Sequence, residues 1–236
     1  MKQLCLVAVT GLVGIAVCAA AVFAAPHPME PQPTVITARE GEPPSDAIVL
    51  FGSSDLSQWQ KADGSPADWK VSGGVVSVGK GGIVTKREFG DIQFHCEFMS
   101  PTPPKGDGQG RGNSGLYFQG KYEVQVLDSY QNDTYINGMV GAIYENFPPL
   151  VNPSRPPGTW QTYDIIFRAP RFNALGNIIQ KATLTVLLNG VLMQDHVQTG
   201  PTPGFMTDIE TPTGPLFIQD HTNPVKFRNM WIRELK

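Results

Sequence analysis

The sequence predicts an all-β fold, a β-sandwich or jelly roll built from about ten to twelve short strands. Three observations carry that prediction. Gly 25 and Pro 21 are high counts for a helical protein of 236 residues and suit many strands joined by turns. Alternation of apolar and polar residues with period two recurs along the chain, most strictly over 92–99. No stretch after residue 45 carries apolar residues at helical spacing for several turns. The length suits a single domain with a sizeable core.

Taken in order, residues 1–25 read as a secretory signal. Lys2 supplies the positive start, Leu4 to Cys18 the apolar core, and Ala19 to Ala25 the small-residue cleavage region. Cleavage is expected after Ala24 or Ala25, which places the mature chain outside the cytoplasm, secreted or periplasmic, with no membrane span left. An uncleaved anchor is the alternative. A lipoprotein site at Cys18 fits less well, because Val17 is large for the position before it. Residues 26–45 hold six prolines without periodicity and read as a linker. The folded domain then spans 46–236.

Within it, 47–51 is a first strand. Residues 69–71 and 75–78 flank Gly73-Gly74 as a hairpin, and 83–86 follows Gly81-Gly82. In 92–99, Ile92, Phe94, Cys96 and Phe98 face one way, and Gln93, His95 and Glu97 the other. Strands at 115–119 and 122–127 meet at Gly120-Lys121. Leu116, Phe118, Tyr122, Val124 and Val126 form an apolar face, opposite Tyr117, Gln119, Glu123 and Gln125. A long loop rich in Asn, Gly and Pro, 129–158, carries Tyr130, Tyr135 and Tyr144, and a loop of that length usually has a task. Strands resume at 160–168, at 182–188 and 192–195 around Asn189-Gly190, and at 215–219 and 225–233. With two sheets closed over their apolar faces, the polar sets Gln93/His95/Glu97, Tyr117/Gln119, Glu123/Gln125 and Gln219/His221 are expected to share one concave surface.

The net charge of −3 and the lack of a basic block argue against a nucleic-acid partner. Once the signal is removed, Cys96 is the only cysteine, so no internal disulfide can form, and its strand position suits a buried thiol. The run Gly110-Arg111-Gly112-Asn113-Ser114-Gly115 lacks the lysine and the helix of a phosphate loop; its glycines instead let backbone pass close to a ligand, with Arg111 and Asn113 as donors. Glu97 and Glu123 are candidates for a carboxylate pair, the usual equipment of glycosidases, each weighed against a solvated strand residue. His221, after Asp220, is a candidate acid or base, weighed against a surface histidine. Asp128, Asn132 and Asp133 make either an oxygen-rich divalent-cation site or an Asx turn. Trp160 either stacks on a sugar ring or caps the core.

A resemblance joins these residues. The motifs are Leu50-Phe51 through Asp55-Leu56-Ser57-Gln58-Trp59; Asp68-Trp69-Lys70-Val71; Gly82-Ile83-Val84-Thr85; Arg111 to Tyr117; and Tyr122 to Tyr130. They continue with Gly141-Ala142-Ile143-Tyr144, Trp160 to Asp164, Asn189-Gly190-Val191, and Gly214-Pro215-Leu216 through Gln219-Asp220-His221 with Arg228-Asn229. Together they resemble the 3-keto-disaccharide hydrolase family over nearly all of 47–235. Gly52-Ser53-Ser54 departs from that family's usual Asn/Asp-Gly-Lys turn.

The resemblance implies a concanavalin A-like jelly-roll sandwich and cleavage of glycosides whose glucose bears a ketone at C3. Such cleavage takes the acidified C2 proton, eliminates the C1 leaving group and can add water back. It needs a base, an acid and donors on the enolate oxygen. The expectation is His221 or Glu123 as base and the other as acid, with Glu97 as a further catalytic candidate. Arg111, Asn113 and Gln125 would hold the enolate and the sugar hydroxyls. Tyr117, Gln119, Asp128, Tyr144, Trp160, Gln219 and Asp220 complete the expected carbohydrate-binding set. A divalent cation could replace some of those donors, and the sequence identifies no other cofactor. The competing reading is a non-catalytic carbohydrate-binding module on the same fold, and a structural cell-surface domain is a third.

Overall fold

A computed structural model describes residues 32–236 apart from Ser53 and Phe205. The signal and three of the six prolines assigned to the linker therefore lie outside the described residues. The unit Ile36–Lys236 holds the fold. Among the described residues, no helix is long and apolar enough to cross a membrane.

In chain order the strands are β1 (Ile48–Phe51), β2 (Trp59–Lys61), β3 (Lys70–Ser72), β4 (Val75–Ser77), β5 (Ile83–Phe89) and β6 (Ile92–Met99). The central hairpin is β7 (Ser114–Phe118) and β8 (Tyr122–Val126). Then come β9 (Gln161–Arg168), β10 (Arg171–Phe172), β11 (Ile178–Gln180), β12 (Ala182–Leu188), β13 (Val191–Thr199), β14 (Gly214–Ile218) and β15 (Lys226–Glu234). The expected strands are all present. Short strands β2, β10 and β11 add to them, and β13 runs beyond the expected 192–195.

An eight-stranded sheet has the order β13-β12-β9-β6-β15-β4-β3, with β1 also on β15. A five-stranded sheet has the order β2-β5-β14-β7-β8, and β10 with β11 forms a separate small hairpin. The two larger sheets form a jelly-roll β-sandwich. Its core lies between the Phe94-Cys96-Phe98 face of β6 and the Leu116-Phe118-Val124 face of the hairpin. Phe118 meets Phe94 edge-on at 5.7 Å and stacks on Phe167 of β9 at 5.3 Å. Each such ring contributes roughly 1.5–3 kcal/mol on burial. Cys96 is fully buried there, and burial pushes its thiol well above the ordinary range. At Asn189-Gly190 both residues have positive φ (54° and 79°), the conformation a tight hairpin turn requires.

The expectation of one shared concave surface is overturned. The period-two pattern puts Gln93, His95 and Glu97 on the outer side of β6, as read. But β6 belongs to the eight-stranded sheet and β8 to the five-stranded one, so their outer faces point in opposite directions. On the eight-stranded face, His95 bonds Asp164 at 2.7 Å and stacks on Trp231 at 4.9 Å. Glu97 accepts Arg228 Nε at 2.8 Å and Nη2 at 2.5 Å, and the Arg228 guanidinium lies 4.1 Å over the Trp160 ring. Glu97 and Trp160 thus hold each other's neighbours in place, far from Glu123.

Candidate active site

The register of the central hairpin pairs Leu116 with Val124, Tyr117 with Glu123 and Gly115 with Gln125. Both strands are buried along their whole length, although one face is polar. Two segments cover that face. The loop after β8 returns along it: Tyr144 N donates to Glu123 O at 3.2 Å and Gln125 N to Ala142 O at 3.0 Å. Along the same free edge of β8, nearer the hairpin turn, comes a strap, residues 200–204. Thr202 Oγ1 accepts Glu123 N at 3.0 Å and donates to Lys121 O at 3.1 Å.

Between these covers lies a hollow of about 270 Å³, lined among others by Asn113, Tyr117, Glu123, Gln125, Gln219 and His221. Burial lifts the Glu123 carboxyl from its ordinary 4.5 to about 8; the facing Tyr117 phenol opposes that shift and the Glu145 carboxylate adds to it. Glu123 Oε2 and Gln125 Oε1 have no hydrogen-bond partner. A buried polar atom without a partner is costly, so Gln125 Oε1 points to a ligand that donates, and Glu123 Oε2 to one that can accept from or donate to the carboxyl. Gly115 makes room for the carboxyl, since a Cβ there would collide with Glu123 Oε1 and stand 2.9 Å from the Tyr117 ring.

The remaining lining is braced. Gln109 organises one wall: its Oε1 accepts Gln125 Nε2 at 3.0 Å, its O accepts Asn113 Nδ2 at 2.7 Å, and its Nε2 donates to Gly138 O at 2.8 Å. Gln219 Nε2 donates to the Tyr117 hydroxyl at 3.1 Å, and Gln219 O accepts Ser114 Oγ at 2.8 Å. The Tyr144 and Tyr135 hydroxyls are 2.6 Å apart at the rim. Gly204 brings the strap onto the Tyr117 hydroxyl, where a Cβ would stand only 2.8 Å away. The His221 side chain is exposed at the mouth.

The fold therefore gathers Asn113, Tyr117, Glu123, Gln125, Tyr144, Gln219 and His221, and separates the other candidates. Arg111 Nε donates to Asp128 Oδ2 at 2.7 Å and its Nη2 to Tyr130 O at 3.1 Å, so this pair pins the return loop beside the hollow rather than lining it. Gln119 is a turn residue with φ 54°, its amide on Phe89 O and Pro212 O, which turns it away from Tyr117. Asp220 ties two loops, accepting Gly81 N at 2.9 Å and Thr222 N at 2.7 Å.

Asp128 and Asn132 do not form a cation site. Asp128 Oδ1 accepts Tyr130 N in an Asx turn, and Asn132 bonds Gly108 and Asp128 backbone atoms. No group of three or more His, Cys, Asp or Glu side chains suited to a metal ion occurs among the described residues. Glu145, Pro203, Gly204 and the bracing role of Gln109 were not anticipated. Their only sequence signals are adjacency to Tyr144, a Pro-Gly turn and the start of the Gly-rich run.

A family model described as the 3-keto-alpha-glucoside-1,2-lyase-like domain matches residues 46–233. A crystal structure of a candidate glycosyl hydrolase from Parabacteroides distasonis ATCC 8503 is 46% identical, covers 87% of this chain and 93% of its own, and superposes with a TM-score of 0.82. A second candidate glycosyl hydrolase from that organism is 20% identical with a TM-score of 0.62, covering 81% of this chain and 94% of its own, a likeness of fold alone. No curated protein matches the chain.

Proposed function

The chain belongs to the 3-keto-alpha-glucoside-1,2-lyase-like domain family, and from that premise we propose that it cleaves 3-keto-glucosides by elimination across C2 and C1. Carbohydrate-active function at the level of the family is the starting point; the substrate and the steps are our reading. The observation that carries it is Glu123, a buried carboxyl lifted to about 8 and aimed into a hollow whose lining also holds amides, phenols, an imidazole and the exposed Glu145 carboxylate.

A carboxyl with that pKa is protonated at neutral pH, which suits an acid more than a base. His221, at the mouth, is then the base. Its ring nitrogen takes the C2 proton, and the C–H electron pair forms the enolate with the C3 ketone. The amides and phenol of the hollow donate to the enolate oxygen and to the neighbouring hydroxyls. The enolate collapses to a C1=C2 double bond as the C1–O bond breaks, and Glu123 gives its proton to the departing oxygen. The products are an enone and an alcohol. Water added to C1, with a proton returned to C2, yields free 3-keto-glucose. The Glu123 carboxylate and the His221 imidazolium then exchange a proton with water to reset the site.

The test is product analysis by NMR after incubation with a 3-keto-disaccharide in heavy water. Deuterium at C2 of the released sugar supports elimination and hydration. Release without deuterium removes the C2 step. Lack of turnover on any keto-sugar would leave a carbohydrate-binding module. We also place the mature domain outside the cytoplasm, on the signal pattern of residues 1–25; an N-terminus of the native protein that still begins at Met1 would contradict this.

A further inference from the structure

Two larger hollows flank the candidate active site, one at each end of the central hairpin. The first, of about 580 Å³, is lined by Arg111, Asp128 and a run of prolines. Its Arg111–Asp128 pair is spent on internal contacts, and none of the buried unpartnered side-chain atoms among the described residues lines it. The second, of about 610 Å³, lies at the hairpin turn and is lined by Gln119, Lys121, Glu88, Met206 and Thr211 among others.

The second hollow contains polar equipment that the fold leaves unfinished. Gln119 is 3% exposed, and its Oε1 has no partner although its Nε2 is bonded. Lys121 is also 3% exposed. Its Nζ donates to Gln119 O at 3.1 Å and to Thr211 Oγ1 at 3.2 Å, which leaves one of three N–H directions free. Glu88 accepts Thr213 Oγ1 at 2.9 Å at the edge. An orphan acceptor beside a free cationic donor suits a hydroxyl-bearing ligand that donates to one and accepts from the other.

The position gives that ligand a role. Lys121 is the last residue of the turn, two residues before Glu123 in β8; two residues of chain span at most ~7 Å, about the reach of one sugar ring and its linkage. The strap walls the hollow of the candidate active site, where Pro203 and Gly204 face Glu123, and Met206 shortly after it, bonded through its N to Gly120 O, lines the hollow at the hairpin turn. Glu123, the residue assigned to protonate the leaving oxygen, is on this side of the site; His221 is on the other, beside the proline-lined hollow.

Resting on the reaction proposed above, we infer that the hollow at the hairpin turn is the subsite for the departing sugar, so that a disaccharide spans the strap with its keto-glucose at Glu123 and its second ring on Gln119 and Lys121. The enzyme then selects glycosides with a polyhydroxylated leaving group over those with a small alkyl one.

The test compares a 3-keto-disaccharide with methyl 3-keto-glucoside on the wild type and on Lys121→Met. The expected result is a fall of about tenfold in the ratio of kcat/KM for the disaccharide to that for the methyl glycoside, carried by KM, as loss of one charged hydrogen bond gives. An unchanged ratio in a variant that melts like the wild type overturns the subsite. Should Lys121→Met not fold, Glu88→Gln and Thr213→Val at the rim are read the same way, and an unchanged ratio in both is equally fatal. If wild type turns over neither substrate, the catalytic reading fails by itself. The subsite is then judged by titrating glucose and following amide shifts: changes centred on Gln119 and Lys121 support it, and their absence rejects it.

Discussion

Burial that lifts the Glu123 carboxyl to about 8 links chemistry to stability. Unfolded, the group titrates near 4.5, so between that value and about 8 the native state holds a proton that the unfolded chain releases. Stability from this group is complete below about pH 4.5 and is lost as pH rises to about 8, by on the order of 5 kcal/mol. Glu123→Gln should flatten that decline, which urea titrations at pH 5 and pH 9 would read. As the acid, Glu123 should also give kcat a descending limb near pH 8 in the wild type, and the Gln variant should lose about a hundredfold in kcat. A rate that instead rises through pH 8 would make Glu123 the base. Gly115→Ala probes the same carboxyl from below: with no room for a Cβ, overpacking should cost about 1–3 kcal/mol and lower kcat by displacing Oε1.

The central hairpin works because both covering segments are bonded to its backbone. Thr202 is wholly buried and connects the strap to both Lys121 and Glu123. Thr202→Val keeps the shape but strands Glu123 N, while Lys121 O keeps its bond from Thr202 N, so melting should show a loss of about 1–3 kcal/mol. Because the strap walls the hollow, KM should rise as well; a variant with lowered stability and unchanged KM would show that the strap plays no part in substrate binding. The hairpin itself was legible in the sequence, since Leu116, Phe118, Tyr122, Val124 and Val126 alternate with polar residues. Its three-residue turn at Gln119-Gly120-Lys121 was not. Gln119 was read as continuing the strand, but two consecutive positive φ values, 54° and 67°, end the alternation there and turn its amide onto Phe89 and Pro212.

Across the whole molecule, the sandwich places Glu97 and Glu123 on opposite outer faces. Glu97→Gln should therefore leave kcat/KM within about twofold of wild type and cost about 1 kcal/mol through the weakened, partly exposed Arg228 pair. A collapse of activity in that variant, with folding intact, would bring the eight-stranded face back into consideration. The same separation removes Trp160, whose ring is taken by Arg228.

The sequence by itself determined the longer strands, the inward or outward sense of most of their residues and the chemistry available on the polar faces, because side-chain direction in a strand follows from a period of two and needs no partner; the short strands β2, β10 and β11 carry too few residues to show that period. Only the tertiary structure decided which faces meet. Sheet order brought the 219–221 segment beside β7 and sent β6 to the other sheet. The strap from 200–204 and the return loop with Tyr144 closed over Glu123, and that closure, a contact between segments far apart in the chain, is what raises its pKa. Alternation along a strand records the direction of a side chain but not what covers it, and for Glu123 the cover makes the difference between a solvated surface carboxylate and a buried acid.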